Sequence, residues 1–328
     1  MSTICLPELV SVPGKRELQD LPLFVRIFHV DKVCDTHYDE VLVIVMIVIE
    51  KEGMKMKALS FDAYTLKWIA VIGMIANHVA IGLNPLLPFG ALLFLYAAGG
   101  LTYVIMAYFV VEGYRHTSSL KKYIGRLFLG GLIAQAFHPM VLGMTDMLGT
   151  GLFLNIMFTI ILSLLILLAY DKIKIRFLFW LLFVVACFVA MFMDLFFVGI
   201  LVPLLYHTIK TESRRRTLPG VVSGIIFLVL GLLSAMAPIM YLTTGQLAAE
   251  VYAAVAMTGM PIELMVATPT FALGAFLGAI LIRNYNGERG KPAKRLFYVV
   301  YPLHLAVIAA IAVFAGVTTF NLFGFISF

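Results

Sequence analysis

From Tyr64 onward the chain alternates apolar runs of about 20 residues with short polar connections, the spacing of helices that cross a bilayer. The runs span Tyr64 to Leu83, Leu86 to Val111, Tyr123 to Leu142, Leu152 to Tyr170, Ile175 to Met193, Leu195 to Ile209, Pro219 to Leu242, Leu264 to Ile282 and Leu296 to Val317. Leu247 to Met257 is apolar but short, and Thr258-Gly259-Met260-Pro261 breaks it from the next run; it reads as a re-entrant or interfacial helix, or as a tenth span. The fold class that follows is all-α, a polytopic helical membrane bundle of about nine transmembrane helices.

The stretch before these runs has another character. Residues 1–56 are mixed in polarity, and their one apolar run, Val41 to Ile49, is too short to span a bilayer as a helix. It lacks the basic start and small-residue cleavage site of a signal peptide. Glu50-Lys51-Glu52-Gly53 can be encoded by codons containing a ribosome-binding sequence, with Met54 and Met56 just beyond. Two readings stand: an N-terminal extension outside the natural protein, with translation from Met56, or a genuine segment. In either case the organisation is 1–56 as an extension and 57–328 as one membrane domain.

Composition agrees with a bilayer as solvent, since 62% of residues are hydrophobic, 13% are charged and the mean hydropathy is +1.01. The net charge of +6 does not point to nucleic acid, because the basic residues fall in short clusters between apolar runs. Every second connection is basic: Lys55 and Lys57; Arg115, Lys121, Lys122 and Arg126; Lys172, Lys174 and Arg176; Lys210 and Arg214 to Arg216; Arg283, Arg289, Lys291, Lys294 and Arg295. The alternate connections, near Asn84, Thr145 to Thr150, Asp194 and Thr243 to Glu250, contain neither Lys nor Arg. Short basic loops stay in the cytoplasm, which puts the N-terminus inside and the C-terminus outside. Cys5, Cys34 and Cys187 offer no disulfide framework or thiolate metal site.

Polar side chains inside the spans are costly near the bilayer centre and face the bundle interior or a wet cavity. They are Lys67, Asn77, His78, Glu112, Gln135, His138, Asn155 and His304. Lys67 and His78 are eleven residues apart, a spacing that returns to nearly the same helix face about 16 Å further along the axis. Lys67 is either a snorkelling side chain or one wall of a cavity shared with His78. His78 is either a bundle histidine bonded to a neighbouring helix or a general base, since imidazole titrates near neutrality and suits proton removal from an attacking hydroxyl or amine. Lys67 and Asn77 are donors of the kind that stabilise charge on an acyl oxygen.

Glu112 has Arg115, Lys121 and Arg126 as candidate ion-pair partners, and the loop Arg115 to Arg126 serves topology or holds the phosphates of a cytoplasmic donor. Pro302 kinks the last run beside His304, in Tyr298-Val299-Val300-Tyr301-Pro302-Leu303-His304. His29, His37, His138 and His207 show no metal-ligand spacing, and no metal is expected.

These segments resemble the TraX family of bacterial membrane proteins. The resemblance covers about Ala58 to Phe320 and rests on Leu66-Lys67-Trp68-Ile69-Ala70 through Asn77-His78, on Phe109-Val110-Val111-Glu112-Gly113-Tyr114-Arg115-His116-Thr117 with Lys122-Tyr123 and Arg126-Leu127, on Leu132-Ile133-Ala134-Gln135, on Leu154-Asn155-Ile156-Met157-Phe158-Thr159, and on Phe297 to Leu305. The basic residue, ten intervening residues and histidine are also similar to the type-three membrane acyltransferase family. Where related TraX sequences commonly carry Asp before the histidine, this chain has Asn77, which cannot stabilise an imidazolium as a carboxylate would.

The resemblance implies an integral acyltransferase of the bacterial cytoplasmic (inner) membrane. It would take an acetyl or short acyl group from cytoplasmic acetyl-CoA, without a metal, and pass it to a pilin-like protein or a glycan acceptor. His78 and Lys67 would be catalytic; Asn77, Glu112, Arg115, Arg126, Gln135, Asn155, Tyr301 and His304 would bind substrate. The lipid bilayer is the expected partner and nucleic acid is not. The rival reading is a non-enzymatic transporter or an assembly factor for a surface structure.

Overall fold

A computed structural model describes residues 60–142, 153–258, 260–291, 294–318, 321–322 and 326–327. The stretch 1–56 expected as an extension, His29 and His37 within it, and the loop from Thr145 to Thr150 lie outside the described residues.

The described chain is built from helices α1 (Ala63–Gly82), α2 (Phe89–His116), α3 (Leu120–Gln135), α4 (His138–Leu142), α5 (Ile156–Lys172), α6 (Arg176–Ala190), α7 (Val198–Thr208), α8 (Glu212–Thr244), α9 (Ala248–Thr258), α10 (Ile262–Ala267), α11 (Thr270–Arg283) and α12 (Lys294–Phe314). A two-residue antiparallel ladder, Asn321–Leu322 against Ile326–Ser327, follows α12. By length and composition α1, α2 and α8 are apolar enough to cross a membrane; α6, α7, α11 and residues 298–314 of α12 are shorter apolar helices.

Local chemistry sets the ends of these helices. Asp62 caps α1 by accepting from the Thr65 N–H at 2.7 Å, and Pro85 and Pro88 interrupt the chain before α2. Asn155 caps α5 through the Met157 N–H. Gly245, at φ 71°, ends the 33-residue α8 in the left-handed conformation that glycine adopts without strain.

Two apolar runs are not the single helices their hydropathy predicts. Pro139 has no N–H to offer the carbonyl of Gln135, and the third run divides into α3 and α4. Pro269 separates α10 from α11 in the same way. Between α6 and α7, residues 191–197 form turns in which Leu195 and Phe196 have φ of 64° and 46°, an uncommon and strained conformation for side chains of this kind.

The centre of the bundle is α2 against α11. A Cβ on Gly100 would lie 1.9 Å from the Phe271 carbonyl oxygen, and one on Gly274 would lie 1.7 Å from that of Ala97, so the two backbones touch where only glycine fits. α8 packs on α11 through Gly220 and Gly224, and α1 on α2, where the Thr102 hydroxyl donates to the Ala70 carbonyl at 2.8 Å. α12 packs against α1 and α3. Phe177, Leu181, Val184 and Phe188 of α6, with Val229, Leu232, Leu233 and Met236 of α8, are exposed apolar side chains suited to hydrocarbon.

The basic connections converge at one end. Arg215, at the start of α8, pairs with Glu112 near the end of α2 at 3.7 Å, and Arg216 donates to the Tyr285 carbonyl beyond α11. Backbone bonds join Phe61, before α1, to Asn284 and Asn286, while Asp171 of α5 meets Tyr114 of α2 and His207 of α7.

Candidate functional site: a buried histidine pair

His78 lies near the end of α1, on the side that meets α12. Its Nδ1 is 2.8 Å from the Met74 carbonyl oxygen, one helical turn back. A carbonyl only accepts, so Nδ1 carries the proton and the lone pair of the neutral ring is on Nε2.

His304 reaches the same point from α12. Its Nδ1 is 2.9 Å from the Val300 carbonyl oxygen, which fixes the same tautomer, and its Nε2 is 3.3 Å from His78 Nδ1. The two rings cross edge to face with centroids 4.8 Å apart, and both are buried. Tyr301, a turn earlier on α12, stands edge-on to His78 with centroids 6.4 Å apart and 5.5 Å from the His304 ring.

The other predicted site residues fall into three groups. Asn77 turns away from the histidines toward α2, where its Nδ2 donates to the Tyr96 carbonyl at 3.4 Å and its amide fills the space beside Gly99. Gln135 and Asn155 form a closed network: the Asn155 Nδ2 donates to Gln135 Oε1 at 2.9 Å and to the Gly131 carbonyl at 2.7 Å, and the Gln135 Nε2 donates to the Phe153 carbonyl at 2.8 Å. With the Asn155 backbone N–H also on Gln135 Oε1, these amides join α3 to the start of α5.

The remaining group belongs to the basic end. Glu112 is 3.6 Å from Arg115, 3.5 Å from His116 and 3.7 Å from Arg215. Arg115 also donates to the carbonyls of Tyr206 and His207, at 3.2 and 3.0 Å, closing the end of α7. The Lys67 ammonium sits over the Phe109 ring at 4.7 Å. Arg126 is exposed, flanked by the rings of Tyr123 and Tyr298 at 6.0 and 5.8 Å, and forms no ion pair with an acid among the described residues. An open recess at this end is lined by Glu212, Ser213, Arg216 and Arg283 and does not include the histidine pair.

Two histidine–aspartate pairs are unreadable in the sequence, because each joins residues many positions apart. His138 Nε2 is 3.1 Å from Asp194 Oδ2, 56 residues on, and the His138 ring stacks on Phe153. His207 Nε2 is 2.8 Å from Asp171 Oδ1, while the Tyr114 hydroxyl donates to Asp171 Oδ2 at 2.7 Å. Burial would raise the Asp171 carboxyl, but the hydrogen bonds from His207 and Tyr114 outweigh it and hold the group below the usual carboxylate range.

Residues 62–312 match the family model described as TraX protein. A probable fimbrial assembly protein FimC, serogroup H1, of Dichelobacter nodosus is 26% identical over 269 residues, covering 78% of this chain and 98% of that protein. No solved structure matches.

Proposed function

The chain belongs to the TraX family, and from that premise we propose that it is an acyltransferase of the bacterial inner membrane with His78 as general base. The observation that carries this reading is the 2.8 Å contact of His78 Nδ1 with the Met74 carbonyl oxygen, which assigns the proton to Nδ1 and the lone pair to Nε2 inside an apolar bundle. Nine crossings, with the basic end in the cytoplasm, the N-terminus inside and the C-terminus outside, are part of the same proposal.

The donor is cytoplasmic acetyl-CoA, which supplies a thioester carbonyl. Arg126, exposed beside Tyr298 and without an acidic partner among the described residues, would hold its phosphates. From Tyr298 the first turns of α12 lead through Tyr301 to His304 over about 9 Å of helix rise. His78 Nε2 removes the proton from the acceptor's hydroxyl or amino group as that atom forms its bond to the acyl carbon. When the carbon–sulfur bond breaks, the imidazolium returns the proton to the leaving thiolate. Lys67, nearer the basic end of α1, assists the donor by its charge. The acceptor is a pilin-like amino terminus or a cell-envelope sugar hydroxyl.

Purified protein supplied with labelled acetyl-CoA and envelope extract tests the proposal. Label should pass to an acceptor with release of thiol, and His78→Ala should lower the rate by about 100-fold or more. Transfer unchanged by His78→Ala would exclude the base. The name of the fimbrial relative favours a second reading, a surface-structure assembly factor with no chemistry of its own. In that case the wild-type protein would transfer no label, and loss of the gene would abolish the surface structure without altering acylation.

A further inference from the structure

We propose that His304 is the positioning residue and proton relay for His78, the part that the neighbouring residue Asn77 does not fill. The inference rests on the reading of His78 as general base and extends it to the partner on the opposite ring nitrogen.

The protons can be assigned from acceptor chemistry alone. His304 Nδ1 faces the Val300 carbonyl, so it is protonated and Nε2 holds a lone pair. That lone pair lies 3.3 Å from His78 Nδ1, whose proton is shared between the Met74 carbonyl and the second imidazole. The arrangement has the form of a base held by a proton acceptor behind it, with a neutral imidazole in the place a carboxylate occupies in a serine-protease triad.

Asn77 cannot take this part, because its amide is directed at the Tyr96 carbonyl on α2. Pro302 contributes through geometry: it stands two residues before His304 within α12, where a missing N–H and a bulky ring loosen the turn that presents Val300 and His304.

The step balances without another reactant. When His78 Nε2 takes the acceptor's proton, the ring becomes an imidazolium with protons on both nitrogens. Its Nδ1 proton then strengthens its bond to His304 Nε2 or crosses to it, and the positive charge moves onto His304, whose Nδ1–H remains on the Val300 carbonyl. Collapse of the tetrahedral intermediate reverses the path, and the proton leaves His78 Nε2 with the thiolate. The other titratable groups round the pair are Tyr301 on α12, His138 on α4 with its partner Asp194, and, toward the basic end of α3, Tyr123 and Arg126.

Two measurements decide the proposal. Nitrogen NMR of ¹⁵N-histidine-labelled protein, with His78→Ala and His304→Leu used for assignment, should find both rings neutral at pH 7.5 with Nδ1 protonated. His78 protonated on Nε2 instead would overturn the relay even if no acyl transfer were detectable, so its failure and that of the functional reading are told apart. In the transfer assay, His304→Leu should lower kcat by about 10- to 100-fold with KM for acetyl-CoA within about twofold. His304→Asp should recover part of that loss and move the acid limb of the pH–rate profile upward by about one unit, because a carboxylate behind the ring favours the imidazolium. His304→Asp no better than His304→Leu, with the acid limb unmoved, would reduce His304 to a packing residue. In the His78→Ala background, His304→Leu should cause no further loss; a full additional loss would equally overturn the coupling.

Discussion

At the scale of single residues, a polar group in an apolar helix is informative only once its partner is known. Asn155 and Gln135 are polar residues in predicted spans, but each is saturated by the other and by the backbone carbonyls of Gly131 and Phe153. Asn155→Ala would remove the α5 cap and the side-chain bonds to Gln135 Oε1 and the Gly131 carbonyl, leaving only the backbone N–H of residue 155 on Gln135 Oε1, at a cost of about 1–2 kcal/mol. Thermal denaturation in detergent should show that loss, with KM for acetyl-CoA unchanged in whatever protein remains folded; a raised KM at undiminished stability would make Asn155 a ligand instead. His78 differs because its partners fix one nitrogen and leave the other basic. Its place on α1 was legible from the spacing with Lys67 and from its cost in a bilayer. Its partner was not, since 226 residues separate it from His304 and no periodicity connects them. The same holds for Asp194 beside His138 and Asp171 beside His207, which charge counting along the chain assigns to polar loops.

At the scale of elements, hydropathy located the helices and misjudged their continuity. It registers the apolar character of Pro139 and Pro269 but not the N–H each lacks, so two runs read as unbroken and are divided. The glycines of α2 and α11 carry the opposite lesson, a contact that hydropathy ignores. Gly274→Ala places a methyl 1.7 Å from the Ala97 carbonyl oxygen, and no side-chain movement relieves a clash with backbone. Folded yield by size-exclusion chromatography should fall severely, whereas Gly125→Ala, with open space round its Cβ, should leave yield unchanged.

The junction of α2, α5 and α7 is polar, and its acid, Asp171, lies just outside the predicted spans, so its strength should depend on pH. Asp171 has its carboxyl lowered in the folded protein, so its contribution is present above the unfolded carboxylate value of about 3.9 and fades as pH falls through the lower folded value. The melting temperature should drop below about pH 4, and Asp171→Asn should flatten that part of the curve. An identical pH curve for Asp171→Asn would assign the acid sensitivity elsewhere.

At the scale of the whole molecule, the charge pattern and the tertiary contacts are separate arguments for one topology. The positive-inside rule groups five connections by composition alone. The structure brings their residues together through Glu112 with Arg215, Arg216 with the Tyr285 carbonyl, Asp171 with Tyr114 and His207, and Phe61 with Asn284. If those connections were divided between the two faces of a bilayer, contacts of hydrogen-bond length among them would be impossible across about 30 Å of hydrocarbon. In the proposed topology the Lys- and Arg-free turns at Asn84 and Gly245 would fall at the opposite face, α1 and α8 being long and apolar enough to cross by length and composition. In a cysteine-free background, a membrane-impermeant maleimide added to intact cells should label Gln246→Cys, exposed in the turn after α8. It should reach Lys210→Cys, exposed at the basic end, only after the membrane is opened. Labelling of Lys210→Cys from outside would invert the orientation, and with it the side from which an acyl donor could approach Arg126 and the histidine pair.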